Sequence, residues 1–337
     1  MPVSRCPARP IALTFGATRP YFTRFAARPG ALWRRGAFDF MHQRLMDFLA
    51  DPHDGGPLQL HTFEGRDDQT RDGVLLNPQN GRWYVIEDGI PTLFVEELRP
   101  DDAAFVRRYQ TQLRALGCEF QAPNAAKSAD FARIESERLA RDDQAEDYDA
   151  MLSMKALALI EVPVYKRALS SDTGSVLLEA GCGTGRLTHI FAQIAPEVVG
   201  VDMSRESLIR NRVRHHARTQ NPVHYVHADL THLPLQSATF GRCAHAGVYE
   251  HIPSRELRLQ FLAHARRVMK PGATLMLSAY RYGGLTKWFE KEGEHDGGIP
   301  FFRFTPEELK AEVETAFRVE KFVANLGIYM SMVVARA

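Results

Sequence analysis

The sequence predicts an α/β protein: a doubly wound, mostly parallel sheet with an antiparallel C-terminal strand, preceded by a small β module and a helical linker. Three observations carry this. From residue 171 onward, short β-rich apolar runs alternate with helix-like segments, the pattern of βαβ units. The last two runs, "RVEKFVA" and "IYMSMVVAR", are joined only by Asn325-Leu326-Gly327, which permits a hairpin but no parallel crossover. Nearer the front, "GVLLNPQNGRWYVIEDGIPTLFVEE" alternates β-rich runs with turn signals at Asn80-Gly81 and Asp88-Gly89.

Taken in order, residues 1–40 hold seven arginines and one acid, Asp39. That composition is transit-peptide-like but lacks an amphipathic run, and a natural start at Met41 explains it equally well. A poorly ordered leader is expected over 1–50, and the β module over 51–100. Residues 101–170 form a helical linker and cap, because Phe105, Tyr109, Leu113 and Leu116 recur at spacings of three and four. In the domain over 171–337, "SVLLEA", "VVGVD", "VHYVHAD", "FGRCAHAG" and "ATLMLSAY" are successive strands. Leu187, Ile190, Phe191 and Ile194 make one helical face that stops at Pro196.

The 337 residues suit roughly two domains. A formal charge of +1 gives no global attraction to nucleic acid or anionic membranes. No stretch approaches the roughly 18 apolar residues of a membrane span. Cys6, Cys118, Cys182 and Cys243 are scattered, with no C-x-x-C pair. This argues against a disulfide framework or a cysteine-built zinc site and fits a reducing, cytoplasmic setting. The oligomeric state is left open.

The chemistry centres on "LLEAGCGTGRL", residues 177–187, where Gly181, Gly183 and Gly185 follow an apolar run. A phosphate-binding P-loop needs G-x-x-x-x-G-K-S/T, and no Lys-Ser/Thr is present. The dinucleotide fingerprint needs a third glycine where Arg186 stands. Asp202 ends the next strand, 21 positions beyond Gly181 (202 − 181), where a carboxylate accepts hydrogen bonds from a ribose diol. Asp229 ends the third strand. Cys182 is either a nucleophile or a small residue filling a tight bend, and no activating base stands nearby in sequence.

These residues resemble the class I S-adenosylmethionine-dependent methyltransferases, over residues 171–337. "VLLEAGCGTGRL", "VVGVDMS", "VHADLTHLPLQSATFG", "HAGVYEHIP" and "RVMKPGATLMLS" follow that family's motif order. The resemblance implies a seven-stranded, Rossmann-like sheet, S-adenosylmethionine as methyl donor with S-adenosylhomocysteine as product, and no metal. It implies a cofactor site of Glu179, Gly181, Cys182, Gly183, Gly185, Asp202, Met203, Asp229 and Leu230, with Tyr148 closing over it. One departure stands out: where the family usually has an acid after the phenylalanine of "TFG", this chain has Gly241.

A base is needed only if the acceptor must lose a proton. Candidates are His245, Tyr249, Glu250 and His251, at the carboxyl end of the fourth strand; the alternative for His251 is a bracing role for the next helix. Tyr280, Arg281 and Tyr282 are candidate acceptor-pocket residues, and the insertion over 288–304 reads as a substrate lid or a packed surface loop. The module resembles the C-terminal half of zinc-ribbon domains, with Asn77 and Asn80 at cysteine positions. The earlier cysteine pair falls near His61 and Glu64, so no thiolate ligand remains. The leading expectation is an enzyme acting on a small-molecule acceptor. An RNA methyltransferase is the rival, from Arg205, Arg210, Arg212, Arg214 and Arg218 on one helix. A non-catalytic scaffold on the same fold is the third reading.

Overall fold

The computed structural model describes residues 40–118, 128–145, 152–170, 172, 174–216, 221–295, 298–324 and 329–337. The front module is an antiparallel sheet of β1 (Met41–His42), β2 (Gln59–Arg66), β3 (Gln69–Leu76), β4 (Trp83–Glu87) and β5 (Ile90–Pro91), in the order β1-β3-β4-β5 with β2 paired to β3. Helices α1 (Ala103–Arg108) and α2 (Gln110–Ala115) lay Phe105, Tyr109 and Leu113 on Val74, Trp83 and Val85 of this sheet. Then come α3 (Ala129–Gln144) and α4 (Leu152–Leu169).

The main sheet follows as β6 (Leu177–Ala180), α5 (Thr188–Ile194), β7 (Val198–Asp202), α6 (Arg205–His216), β8 (Val223–His227), β9 (Phe240–Ala246), α7 (Arg255–Val268) and β10 (Met269–Tyr280). A hairpin of β11 (Glu292–His295) and β12 (Ile299–Phe302) precedes α8 (Pro306–Val313), β13 (Arg318–Ala324) and β14 (Met330–Arg336). The seven strands lie in the order β13-β14-β10-β9-β6-β7-β8. Neighbours from β10 to β8 are parallel, and β14 runs antiparallel between β10 and β13. Strands β6 and β7 are largely apolar because helices cover both faces, with Glu179 and Asp202 as their acids.

The module covers the exposed edge of this sheet. Leu93 N–H donates to His227 O of β8 at 2.9 Å, Ala50 N–H to Pro234 O at 2.9 Å, and Gln236 N–H to Phe48 O at 2.8 Å. Covering an edge strand removes unpaired backbone groups that otherwise recruit other chains. Met41, Leu45, Phe48 and Leu49 are buried in one core with Val201, Val226 and Leu235. The expected leader therefore ends earlier than residue 50: residues 41–50 are packed, since their apolar side chains complete that core.

The module's turn also corrects the expected pairing. Asn77 and Asn80 face Asp51 and Asp54, not His61 and Glu64. Asn77 Nδ2 donates to Asp51 Oδ2 and Asn80 Nδ2 to Asp54 Oδ2, both at 2.8 Å. His61 and Glu64 lie on β2, where Glu64 pairs with Arg71 at 2.8 Å. Burial opposes the Asp51 charge, but Asn77, the His53 N–H and the Tyr84 hydroxyl hold its carboxyl below the usual range. Asn77→Ala is expected to cost about 1–3 kcal/mol of folding stability, because a buried acceptor loses its donor. Chemical denaturation measures it, and an unchanged midpoint would show that the cluster staples nothing.

Gly241 has a steric reason. A Cβ there would overlap Ser175 and lie 2.6 Å from Asp172 Oδ2. Its neighbour Arg242 is fully buried, donating to the carbonyls of Leu169, Ile194 and Ser175 at 2.7, 2.8 and 2.5 Å. Restoring the family acid as Gly241→Asp is expected to destabilise by about 1–3 kcal/mol through overpacking. A denaturation midpoint equal to wild type would overturn that account.

Candidate functional site

The site forms where β6 and β7 end. The N–H groups of Gly181 and Cys182 donate to Val201 O at 2.8 and 3.1 Å, turning the chain across the sheet's carboxyl edge. Asp202 pins this turn: its Oδ2 accepts from Gly183 N–H at 2.7 Å and its Oδ1 from Ser204 N–H at 2.9 Å. Asn211 on α6 holds the turn from behind, donating to Gly183 O at 3.2 Å and Thr188 Oγ1 at 2.8 Å. Gly185 has φ +84°, and a Cβ there would overlap Asn211 Oδ1. Gly181 has φ +79°, and its Cβ would sit 2.6 Å from Val248 Cγ2. Both positions require glycine, one for packing behind the turn and one for close approach to the β9 end.

A cleft opens in front, with about 1090 Å³ of space, its solvent-filled mouth included. Glu179, Gly181, Cys182, Gly183, Thr184, Arg186 and Leu187 line its floor. Asp202, Met203, Asp229 and Leu230 come from the ends of β7 and β8, and Ala246, Gly247 and Val248 from the end of β9. Ile134, Glu137, Arg141 and Gln144 of α3 cover it. The sequence reading missed these last four. The only trace of them was the "ERLAR" spacing that pairs Glu137 with Arg141 at 3.5 Å.

Electrostatically the cleft is rich in buried acid. Burial pushes Glu179 up to about 8, and its Oε2 has no hydrogen-bond partner among the described residues. Burial raises Asp202 despite its two backbone donors, and takes Glu137 up to about 7 against the pull of Arg141. Asp229 caps the 3-10 turn at 230–232, accepting from Thr231 N–H at 3.2 Å and from the Thr231 hydroxyl. Burial, with Asp202 and Glu179 alongside, drives the Cys182 thiol far above its ordinary value. That environment opposes a thiolate, and Cys182 fills space under Gly200, its Sγ 3.0 Å from where a Cβ would stand.

The candidate bases separate on inspection. His245 is fully buried, donates from Nδ1 to Ala180 O at 2.8 Å and packs on Phe261 with ring centroids 4.2 Å apart. Burial lowers it to about 4. Tyr249 donates to Glu312 Oε2 at 2.7 Å among Phe261 and Phe304. Neither lines the cleft; both serve the core, because the alternation along β9 and the turn after it aim them at α7 and α8. His251 donates from Nδ1 to Pro300 O at 2.8 Å, bracing β12, and burial holds it well below its ordinary value. Glu250 does not line the cleft either, but its Oε1 lies behind the wall, 3.8 Å from where a Cβ on cleft residue Gly247 would stand.

Tyr280, Arg281 and Tyr282 do not line the cleft either. Tyr280 packs edge-on to His251 at 5.5 Å, Arg281 N–H bonds Tyr329 O at 2.7 Å, and Tyr282 N–H bonds Phe304 O at 2.7 Å. The 288–304 insertion is this hairpin, with Ile299 and Phe301 buried. Tyr148 lies outside the described residues, as does Arg218. On α6, Arg205 donates to Glu87 O at 3.0 Å and Arg212 to Asp88 O at 2.6 Å, so two of that helix's arginines bind the module's turn.

No helix among the described residues is long and apolar enough to cross a membrane. Residues 178–277 match the family described as a methyltransferase domain. A protein of Mycolicibacterium smegmatis named as a probable S-adenosylmethionine-dependent methyltransferase is 31% identical over 116 residues, 34% of this chain and 42% of that protein. The malonyl-[acyl-carrier protein] O-methyltransferase of Serratia marcescens is 29% identical over 149 residues, 42% of this chain and 55% of that one. This chain thus spans about half the length of these curated relatives. In structure it resembles the 1,6-didemethyltoxoflavin-N1-methyltransferase of Burkholderia thailandensis, solved with 1,6-didemethyltoxoflavin and S-adenosylhomocysteine. There the TM-score is 0.51 at 19% identity, covering 64% of this chain and 92% of that one. Sequence similarity over the glycine turn and central strands, and the seven-stranded sheet that carries them, together support an S-adenosylmethionine-dependent methyltransferase domain.

Proposed function

We propose that the chain transfers a methyl group from S-adenosylmethionine to an oxygen, nitrogen or carbon nucleophile of a small-molecule acceptor by in-line displacement, in the cytoplasm. The observation that carries this is the pairing of Asp202 and Glu179 across one glycine turn. Asp202 retains acceptor capacity for a ribose diol beyond its two backbone bonds. Glu179 presents a buried oxygen without a partner among the described residues, which suits an ammonium group. Gly183, with nothing within 4 Å of its missing Cβ, leaves the cradle open between them. The residues therefore fit the donor, with Asp229, Met203 and Leu230 at the base end.

The bound sulfonium supplies an already activated methyl, so alignment of the partners accounts for most of the acceleration. Within the chain, α3 lines the cleft from above, and the Asp202–Gly183 bond fixes the floor. A small acceptor is favoured over RNA because Arg205 and Arg212 hold the module in place. The 1,6-didemethyltoxoflavin bound by the Burkholderia protein is also a small molecule. The module acts in this reading as a docked scaffold of degenerate zinc-ribbon type. Calorimetric titration with S-adenosylmethionine and S-adenosylhomocysteine tests the proposal: saturable binding of both is expected, and binding of neither would sink it.

A further inference from the structure

A buried carboxyl group beside the cleft has no use in donor binding. Glu250 is 1% exposed, and neither of its carboxyl oxygens has a hydrogen-bond partner among the described residues. Its Oε1 stands 3.8 Å from the point a Cβ on Gly247 would occupy, with Met330 Cε 3.9 Å from that point on another side. Gly247 and Val248 form the cleft wall, and Val248 is the residue pressed against Gly181. The carboxyl group thus lies directly behind Gly247, the wall residue that stands between it and the cleft.

Its surroundings deepen the imbalance. Glu161 of α4 is fully buried and lies close enough to repel Glu250. The two cleft arginines are each engaged by another acid: Arg186 with Glu161 at 2.7 Å, Arg141 with Glu137 at 3.5 Å. Burying a carboxylate without its own cation or donors costs several kcal/mol in a low-dielectric site, by the order of magnitude usual for buried ions. A cation entering from the cleft removes that cost. An anionic acceptor group would meet the same acids with the opposite sign.

We propose that the acceptor carries a basic nitrogen and seats its ammonium group against the Glu250 carboxylate. Its role in methyl transfer rests on the function proposed above. The carboxylate then takes one proton: an N–H bond breaks with its electron pair left on nitrogen, and an O–H bond forms on Glu250. Nitrogen becomes a nucleophile only after this step. Burial, reinforced by Glu161, brings Glu250 to about 8, so the carboxylate that accepts the proton is the form present above that pH, or at lower pH once the seated ammonium has drawn the value down.

The test uses the full chain with benzylammonium, benzyl alcohol and benzoate as probes, titrated calorimetrically with and without saturating S-adenosylhomocysteine. Benzylammonium is expected to bind at least about tenfold more tightly than benzyl alcohol, as a charge-assisted bond requires. In Glu250→Gln that preference should fall to about twofold or less, with far-UV circular dichroism and S-adenosylhomocysteine affinity unchanged as the check on folding. Equal binding of amine and alcohol, tighter binding of benzoate, no binding of the amine, or an undiminished preference in Glu250→Gln would each overturn the amine subsite. Failure of S-adenosylhomocysteine to bind while the Glu250-dependent preference persists would instead sustain the subsite and overturn methyl transfer.

Discussion

Asp202→Ala is expected to bind S-adenosylhomocysteine about 1–3 kcal/mol more weakly than the wild-type chain, the range for hydrogen bonds to a charged group. The loss has two sources. One is direct, because in the proposed donor site the carboxylate's remaining lone pairs accept from the ribose diol. The other is structural, because Gly183 N–H loses its acceptor at 2.7 Å and Ser204 N–H loses its own at 2.9 Å. Asp202→Asn separates them: an amide keeps one acceptor oxygen but repels one of the two N–H groups, so an intermediate loss is expected. Calorimetry measures both. Undiminished binding by Asp202→Ala would remove the carboxylate from the donor site.

Glu312→Ala should cost more, about 3–5 kcal/mol of folding stability, the usual penalty for stripping a buried charge of its partner. Glu312 accepts from Arg258 Nε at 2.9 Å and from its second guanidinium nitrogen at 3.0 Å, and from the Tyr249 hydroxyl at 2.7 Å. Arg258 is also stacked between Phe302 and Phe304, 5.1 and 5.0 Å from the ring centroids. Removing the carboxylate strands a guanidinium and a phenol in an apolar layer under the turn that carries Glu250. The double variant Arg258→Met/Glu312→Leu is expected to recover much of the loss, since apolar replacement of a whole buried pair is often neutral. Denaturant midpoints decide it. A loss below about 1 kcal/mol in the single variant would show the pair to be solvated.

Much of the sheet is legible in the sequence, because each strand carries its own signal. "VVGVD" is apolar up to its closing Asp202 since both faces of β7 are covered, and the short join at 325–329 is too brief for a parallel crossover between β13 and β14. The turn at 181–185 was equally legible, because glycines at positive φ are a local requirement. Other features had no local signal. The Asn77 and Asn80 partners were sought at His61 and Glu64, yet Asp51 and Asp54 meet them, because the hairpin of β2 and β3 brings 51–54 back beside 77–80. Glu137 and Arg141 look like an exposed helical ion pair until α3 is laid over the cleft.

The sequence by itself determined the order of elements, the glycine turn and the acids at the ends of β7 and β8, because hydrophobic period and backbone sterics act between near neighbours. Only the tertiary structure decided where the four candidates at the end of β9 point. His245 and Tyr249 turned into the core, His251 onto the hairpin, and Glu250 toward Gly247. Those directions depend on α7, α8 and β12 packing against the end of β9, and contacts between residues that far apart leave no mark in local spacing.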